Sequence, residues 1–347
     1  MNELIAKPHI LKKVNLSQIR KAIKNKGTVT RAEITKETKI SSTTVRSLLT
    51  EMQLNGEIES IGYAESSGGR KAEKYRLKPD RYYGAAFCIA ESDIHYLIVD
   101  IFGKIVETGI LGQRETLASD ITKTITCFLD DLINRKEIKS IGLGVPGVVE
   151  DVTYLKFSHG IELDKIDVGS FFTQRYGIPV VLENDINAIT IGFARRIEQL
   201  QQNGSVNANL VLVYFGKGIG AGIIAGERII RGWSNFAGEI GLIPQNGQKI
   251  LSEQISEADD ALYTTHVIQI ICWICALINP KTIALAGPDF RGGCFEAIRN
   301  GVNDLFPQNM RADILYSPDI WNDYNEGMAF LTAGRIFDEI QFTKELL

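Results

Sequence analysis

Residues 209–230 read NLVLVYFGKGIGAGIIAGERII, two apolar runs with a glycine-rich centre between them. Apolar runs bounded by glycine predict two strands of a hairpin, joined at FGKGIGAGI (215–223). Glycines allow a backbone to approach phosphate oxygens closely, and consecutive amides in such a turn can bind an anion. Lys217 in this turn has two interpretations: it binds a phosphate, or it is an exposed turn residue.

The chain before this hairpin alternates between strand-like and helix-like segments from Tyr83 onwards. The strand patterns are YYGAAFCIA (82–90), IHYLIVDIFGKIVETGIL (94–111) with a turn at Gly103 and Lys104, KSIGLGVPGVV (139–149) and IPVVLEND (178–185). Helix patterns lie near 117–134 and 186–200. Mixed sheets with crossing helices, occurring twice, predict an α/β body of two lobes, and ligands of such folds bind where strand ends and glycine loops converge.

Composition describes an ordinary globular chain of 347 residues, 44% hydrophobic and 23% charged. The longest apolar stretch, VIQIICWICALI (267–278), has 12 residues, so it predicts a buried helix rather than a membrane span. The N-terminus lacks the apolar core of a signal peptide, and the five cysteines lie mostly in apolar runs, so we expect a cytoplasmic protein with reduced thiols and no membrane contact. Cys272 and Cys275 form a CxxC pair, interpreted as two buried small hydrophobes, with zinc or redox chemistry as the alternative.

The formal charge of −4 is unevenly distributed along the chain. Residues 1–80 hold 16 Lys and Arg against 9 Asp and Glu, whereas the remainder holds 22 against 33. A basic head on an acidic body predicts a polyanionic partner for the head alone. We therefore place the domain boundary at 80, with a head of residues 1–80 and a body of residues 81–347.

The head pattern predicts three short helices and a hairpin. The first helix spans about 16–26, and the second opens with TRAE, where Thr30 and Glu33 form a capping box. The third, TTVRSLLTEMQLNG (43–56), carries one apolar stripe: Val45, Leu48, Leu49 and Met52. Two strand-like halves, IESIGY (58–63) and EKYRL (73–77), then flank SSGGRK (66–71), which is typical of the wing of a winged helix-turn-helix.

Short hydroxyl side chains and one arginine cluster at the start of the third helix. Such a face suits a recognition helix in the major groove, and a basic glycine tip suits the DNA backbone or a narrow minor groove. For the helix alone, a polar solvated face is the competing interpretation; the hairpin and the local charge favour DNA. The predicted DNA-binding residues are Ser42, Thr43, Thr44, Arg46, Ser47, Arg70 and Lys71.

The order of motifs along the chain resembles one family. The winged helix with its GGR tip is followed by GVPGVV (144–149), ENDINA (183–188), GKGIGAGI (216–223), AGEIG (237–241) and INPKTIALAG (278–287). This set resembles the ROK family of repressors, open reading frames and sugar kinases, and it is most similar to the regulator branch that includes xylose- and N-acetylglucosamine-responsive repressors. The resemblance covers essentially the whole chain and implies an actin-like, ribonuclease-H-like body of two α/β lobes.

The resemblance also implies a sugar site. In the family's kinases the aspartate of END is the base for a sugar hydroxyl and the preceding asparagine binds the sugar, which correspond to Asp185 and Asn184. The glutamate of AGEIG contacts sugar hydroxyls and corresponds to Glu239, and Gly147 brings backbone close to the ligand. Each of these residues could instead be a structural polar contact.

Three departures from the family pattern bear on activity. Where the kinases carry a DxGGT loop for ATP phosphates and metal, this chain has CIAES (88–92), and GTGIG is replaced by GKGIG. Leu242 stands in place of the histidine of EIGH, and the cysteine-rich zinc loop that follows it in relatives is missing. We therefore expect no catalytic residues, no ATP or other cofactor, no zinc or other metal, and no enzyme activity.

These features together predict a transcriptional regulator, a repressor of carbohydrate genes, with a catalytically inactive sugar-kinase-like body that senses a sugar or sugar derivative. Its expected partners are operator DNA, a carbohydrate effector and a second copy of the chain, with the helices at 259–278 or 326–340 as candidate interfaces. Two alternatives stay open: an active sugar kinase with a DNA-binding head, and a regulator controlled by a partner protein.

Overall fold

The computed structural model describes residues 8–64, 71–90, 93–113, 118–150, 153–157, 163–200, 209–245 and 249–337. The head contains three helices and a small antiparallel sheet of strand order β1-β3-β2. Its elements are α1 (Pro8–Lys26), β1 (Val29–Thr30), α2 (Arg31–Thr38), α3 (Ser42–Leu54), β2 (Ile58–Tyr63) and β3 (Glu73–Leu77).

Local sequence signals explain the head helices. Thr30 and Glu33 form the expected capping box at the start of α2, and the apolar stripe of α3 is buried as predicted. The first helix, however, starts at Pro8 rather than near residue 16. Its first turns expose Ile10 and Leu11, so no buried stripe marks them in the sequence, while proline suits the first position of a helix.

Lobe 1 is built on a five-stranded sheet of order β11-β7-β4-β5-β6. Strands β4, β5 and β6 are antiparallel, and β7 and β11 run parallel to β4. Helices α4 and α5 cover one face with an aliphatic and aromatic core. The elements are β4 (Tyr83–Ile89), β5 (Asp93–Asp100), β6 (Ile105–Gln113), α4 (Ala118–Arg135), β7 (Ile138–Val145), β8 (Val148–Glu150), β9 (Thr153–Phe157), β10 (Leu163–Ile166), α5 (Val168–Tyr176) and β11 (Val180–Asn184).

Lobe 2 has a second five-stranded sheet, of order β14-β13-β12-β15-β16. The hairpin expected at 209–230 is present, with Phe215 paired to Ile219 across the turn. The elements are α6 (Asp185–Leu200), β12 (Asn209–Phe215), β13 (Ile219–Ala225), β14 (Arg228–Ile229), α7 (Leu251–Glu257), α8 (Asp260–Leu277), β15 (Thr282–Ala286), α9 (Phe295–Leu305), β16 (Asp313–Ser317) and α10 (Ile320–Arg335).

Helices α6 and α10 pack against each other between the two sheets. A Cβ on Gly192 would lie 1.8 Å from the carbonyl oxygen of Asp323, and one on Gly327 would lie 1.9 Å from that of Ala188. Only glycine permits this approach, so the two backbones are in direct contact. Helix α6 also packs on β12 and β13 of lobe 2, whereas α10 packs on β4, β5 and β7 of lobe 1.

The placement of α10 corrects one expectation. The helix was predicted at 326–340 as a candidate subunit interface, but it begins at Ile320, because Asp319 caps it by accepting a hydrogen bond from the Asn322 amide at 3.0 Å. Its central residues, including Met328 and Ala329, are buried, whereas Phe330, Gly334 and Arg335 are exposed. The use of this helix as a subunit interface therefore stays a prediction. Residues 338–340 lie outside the described residues.

Helix α8 is the apolar helix expected at 259–278. Among the described residues it is the one helix long and apolar enough to cross a bilayer by length and composition. Its buried side chains, including Val267 and Ile271, pack in the core of lobe 2, as in the core helix of a globular domain. Cys272 and Cys275 are half-buried free thiols on this helix, and burial raises the pKa of both.

Candidate functional site

The strand ends of β7 and β11 lie side by side at the cleft between the lobes. Parallel pairing of these strands places the turn after β7 next to Asn184, the last residue of β11. Gly147 in that turn has φ +122°, and its carbonyl oxygen accepts a hydrogen bond from Asn184 Nδ2 at 3.0 Å. The structure thus brings together Gly147, Asn184 and Asp185, as expected for the ligand-binding edge of such a sheet.

Asn184 organises the first turn of α6. Its Oδ1 accepts a hydrogen bond from the Asn187 amide at 2.9 Å, and its Nδ2 donates to Asp185 Oδ1 at 3.1 Å. The amide of Ile186 also donates to Asp185 Oδ1, at 2.8 Å. The orientation of the Asp185 carboxylate is therefore fixed by α6 and the preceding residue.

The electrostatic environment of Asp185 is set by burial. Burial raises the pKa of Asp185 to about 7, the Ile186 hydrogen bond opposes this, and the charge of Glu239 raises it further. Burial also raises the pKa of Glu239, which comes from lobe 2 at the start of the turn Ile240–Leu242. Two carboxyl groups with raised pKa values thus belong to one site, one from each side of the cleft.

An ion pair between the lobes was missed by sequence reasoning. Glu183, with 3% of its side chain exposed, binds the Arg231 guanidinium and accepts a hydrogen bond from Asn187 Nδ2 at 3.1 Å. Arg231 follows β14 of lobe 2, 48 positions away in the sequence. Glu183 could have been noticed within the ENDINA motif, whereas no local pattern marks Arg231.

The cavity enclosed by these residues is small. Glu183, Asn184, Arg231 and Glu239 contribute to its lining, and its volume is about 20 Å³. Such a space holds about one water molecule. A sugar is larger than this space, so its binding here would require the lining residues to move apart.

The central part of the chain is similar to a known protein family. Residues 89–251 match the model of the ROK family. The chain carries a ROK-family domain.

Two relatives that match about two thirds of this chain are named as repressors. It is 28% identical over 242 residues to a putative xylose repressor of Caldicellulosiruptor sp., covering 67% of this chain and 59% of that protein. It is 27% identical over 256 residues to the xylose repressor of Bacillus subtilis, covering 71% of this chain and 64% of that protein. The chain thus spans about 60% of the length of the relatives it matches.

A solved structure shares the fold over nearly the whole chain. The crystal structure of a ROK family transcriptional regulator, a homolog of the E. coli MLC protein, superimposes with a TM-score of 0.69. The superposition covers 94% of this chain and 97% of that one, at 17% sequence identity. The actin-like ROK fold expected for the body is therefore confirmed.

On the opposite side of the ROK cleft, kinases of the family hold ATP phosphates. This chain carries different residues there from those of the kinases. Cys88, at the position of the DxGGT aspartate, is fully buried at the end of β4, and burial raises the pKa of its thiol. Its Sγ lies 3.8 Å from Asn325 Oδ1 of α10. Glu91 and Ser92 of the same motif lie outside the described residues. Lys217 is exposed in the hairpin turn.

Two aromatic side chains of α10 pack on lobe 1 near Cys88. Tyr324 is 4% exposed and packs so closely on Gly144 that a Cβ there would lie 2.4 Å from its hydroxyl. Trp321 stacks on Tyr324 with ring centroids 5.9 Å apart and on His95 at 4.2 Å. Burial raises the pKa of Tyr324 well above its usual range, with contributions from Cys88 and Asp185, so the phenol stays neutral. Sequence reasoning missed this cluster because it started the helix six residues too late.

The predicted DNA-binding residues lie on the head, apart from the ROK cleft. Ser42, Thr43, Arg46 and Ser47 are exposed on α3, and Thr44 is half-buried. Ser41 caps the helix by accepting a hydrogen bond from the Thr44 amide at 3.2 Å, which fixes the start of the exposed face. Lys71 is exposed before β3, and Arg70 lies outside the described residues.

Metal binding finds no support among the described side chains. Within those ranges no group of three or more His, Cys, Asp or Glu side chains could hold a metal ion. Leu242, at the position of the family histidine, is 41% exposed and is aliphatic. The absence of zinc stays a prediction, because residues 246–248 of the neighbouring loop are outside the description.

Proposed function

We propose that this protein is a DNA-binding transcriptional regulator, a repressor, whose ROK domain binds a sugar or sugar derivative without phosphorylating it. The observation that carries the proposal is the asymmetry of the cleft. Asn184, Asp185 and Glu239 are arranged as acceptors and donors for hydroxyl groups, while Tyr324 and Cys88 occupy the side where phosphates would bind. Binding without transfer is the chemistry that this arrangement supports.

The head acts, on this proposal, as a winged helix-turn-helix. Support comes from the α2–α3 pair, the β2–β3 hairpin and the exposed hydroxyl face of α3 with Arg46. The net charge of +7 over residues 1–80 favours phosphate contacts. We place Ser42, Thr43, Thr44, Arg46 and Ser47 in the major groove and Arg70 and Lys71 at the backbone or minor groove.

A single head of this size reads too few bases for genomic specificity, so we propose a homodimer on a two-fold operator in the cytoplasm. The outward side of α8, with Leu262 48% exposed and Leu277 84% exposed, is one interface candidate, and the exposed side of α10 at Phe330 is the other. Effector binding changes the lobe arrangement and hence the spacing of paired heads.

Fluorescence anisotropy on the DNA upstream of the protein's own gene tests this function. The titration is made at several salt concentrations, with D-xylose first in a panel of sugars and sugar phosphates. We expect tight binding that weakens steeply with salt and is changed at least tenfold by one sugar. Arg46→Ala should weaken binding at least tenfold, whereas Arg299→Ala, an exposed arginine on α9, should change it less than twofold. Sequence-independent binding by both variants and wild type alike would contradict the proposal.

Control by a partner protein is the second candidate. It is favoured by the mutual hydrogen bonding of Asn184, Asp185 and Asn187 and by the closed cavity of about 20 Å³. Specific operator binding that no sugar of the panel alters, together with no sugar binding by calorimetry, would support this candidate. Sugar-stimulated ATP hydrolysis would instead establish a kinase.

A further inference from the structure

A buried ion pair lies where the head meets the body. Arg20 of α1 donates from Nε to Glu57 Oε2 at 2.9 Å and from Nη2 to Glu57 Oε1 at 3.0 Å. The two side chains are 5% and 4% exposed. A bidentate pair removed from water is costly to break, because either partner alone would be a buried, uncompensated charge.

Two residues of the body complete this pair. The Tyr82 hydroxyl donates to Glu57 Oε1 at 3.1 Å, and the Arg20 guanidinium lies 5.0 Å from the ring centroid of Phe337. Tyr82 and Phe337 meet edge to face at 6.3 Å. Body residues from both ends of the domain thus contact the same ion pair of the head. We call Arg20, Glu57, Tyr82 and Phe337 the junction.

Polar contacts extend the junction on both sides. Lys24, one turn beyond Arg20 on α1, donates from Nζ to the carbonyl oxygen of Ile101 at the end of β5. Arg81 Nε donates to the carbonyl oxygen of Asn55 at 2.7 Å, and Arg81 also pairs with Glu137. The head is therefore fixed to lobe 1 at several points.

Helix α10 reaches from the cleft to the junction. Tyr324, in its first turns, lies close enough to Asp185 to be influenced by that charge, and Phe337 directly follows its last turn. The 13 residue steps from Tyr324 to Phe337 correspond to about 20 Å along a helix. Over this length α10 is joined to α6 by the contact at Gly192 and Gly327, and Arg196 Nε donates to the fully buried Asp323 Oδ1 at 2.7 Å.

We propose that α10 sets the position of the DNA-binding head, and that it carries to the junction any movement of α6 that ligand binding at Asp185 produces. The element joining the site to the head is a packed helix, and Phe337 lies two residues beyond its last residue, Arg335. Any shift of α10 relative to lobe 1 moves Phe337 against Arg20 and Tyr82. This inference rests on the proposed function for its biological meaning, although its structural content is testable without DNA or effector.

Hydrogen–deuterium exchange of the full chain, free in solution, tests the coupling. Gly327→Ala pushes α10 away from α6, because the added Cβ would meet Ala188 O at 1.9 Å. Gly334→Ala is the matched control on the same helix, since a Cβ there meets nothing within 4 Å. We expect amide exchange in α1 around Arg20 and Lys24 to become at least tenfold faster in Gly327→Ala and to stay within twofold in Gly334→Ala. A cooperatively folded Gly327→Ala with wild-type exchange in α1 would overturn the proposal.

The double variant Tyr82→Phe, Phe337→Leu tests the junction from its other end, should Gly327→Ala fail to fold. The Arg20–Glu57 pair lies within the head and is retained. We expect α1 exchange at least tenfold faster, with the first half of α10 within twofold of wild type. A second cavity, between head and body, is lined by the four junction residues and by Tyr176. Tyr176→Phe is the control, because the Tyr176 hydroxyl donates only to body groups. Unchanged α1 exchange in the double variant would overturn the coupling.

Titration of operator DNA, with and without D-xylose, distinguishes failure of the α10 coupling from failure of the proposed function. If D-xylose alters wild-type operator affinity, the double variant should bind D-xylose equally by calorimetry yet show less than a twofold change in operator affinity. A full wild-type response in the double variant contradicts α10 as the carrier. If the wild type binds no operator while the exchange results hold, the proposed function fails and the coupling of α10 to the head stands.

Discussion

The two sides of the interlobe cleft carry different side chains, although the same two helices, α6 and α10, line the cleft. On one side, Asn184 and Asp185 at the start of α6 keep an ordered set of hydrogen-bonding groups opposite Glu239. On the other, α10 inserts Tyr324 against Gly144 and the buried thiol of Cys88. On the proposed function, the side that would bind hydroxyl groups keeps its polar residues, whereas aromatic side chains pack on the side that would bind phosphates.

The largest effect on stability is expected from removing the Tyr324 side chain, which packs against Gly144. Tyr324→Ala should lower the free energy of unfolding by about 3–5 kcal/mol, as for other large-to-small changes of buried aromatic residues. Urea denaturation measures the change. Tyr324→Phe, which keeps the ring against Gly144, is the control and should cost under about 1.5 kcal/mol. A neutral Tyr324→Ala would mean that this half of the cleft is open in solution.

The pH dependence of stability tests the raised pKa of Asp185 at the side of the cleft that keeps its polar residues. The pKa of Asp185 is raised from 3.8 to about 7 in the folded state, so the folded protein holds its proton more tightly than the unfolded chain. Its contribution to stability is complete below pH 4 and is lost as pH rises through about 7, an amount on the order of 4 kcal/mol. Asp185→Asn should reduce this slope in urea unfolding from pH 4 to pH 8, and the exposed Asp131→Asn should keep it. The slope that remains in Asp185→Asn comes from Glu239, whose pKa burial also raises. Parallel curves for wild type and Asp185→Asn would contradict the assignment.

Sugar affinity should depend on the amide that orders the site. Asn184→Ala leaves the carbonyl of Gly147 and the amide of Asn187 without their partners, so we expect sugar affinity to fall about 100-fold. Isothermal calorimetry with the sugar that alters operator binding measures this loss. Asn134→Ala, on the exposed side of α4, is the control. Equal affinities of the two variants would place the sugar elsewhere.

The smallest effect is expected at the glycine-rich turn. Lys217→Ala should change sugar affinity less than twofold, and calorimetry with MgATP should detect no micromolar binding by wild type or variant. Both results follow if this exposed turn borders a phosphate site that is already filled. Micromolar MgATP binding that Lys217→Ala abolishes would restore the phosphate interpretation of the turn.

Much of the fold was predictable because its signals are local. The capping box of Thr30 and Glu33, the buried stripe of α3 and the hairpin at 209–230 each follow from spacing within a few residues. The positions of Gly147, Asn184 and Asp185 followed from the family resemblance and from the rule that ends of parallel strands meet. Their role in binding a sugar is still a prediction.

The remaining features depend on pairs of residues far apart in the chain. Arg231 with Glu183, Tyr324 with Gly144 and Tyr82 with Glu57 meet only in the folded chain. A one-dimensional pattern of charge and hydrophobicity gives each of these residues an ordinary surface or core role. Because the predicted helix started at residue 326 instead of Ile320, the prediction left out Trp321 and Tyr324, the aromatic residues of this cluster.

The backbone contact at Gly192 and Gly327 restricts the kind of motion open to the two central helices. Interlocked side chains usually let helices shift along each other by small rotamer changes, but two backbones in contact have no side chains to rearrange. Translation along the axes would drive a neighbouring Cβ into a carbonyl, so rotation about the crossing point is the motion that remains. With such a pivot, a small opening at the Asp185 end of the cleft moves Phe337 in the opposite direction. The size of the displacement at Phe337 scales with the length of α10 beyond the crossing point.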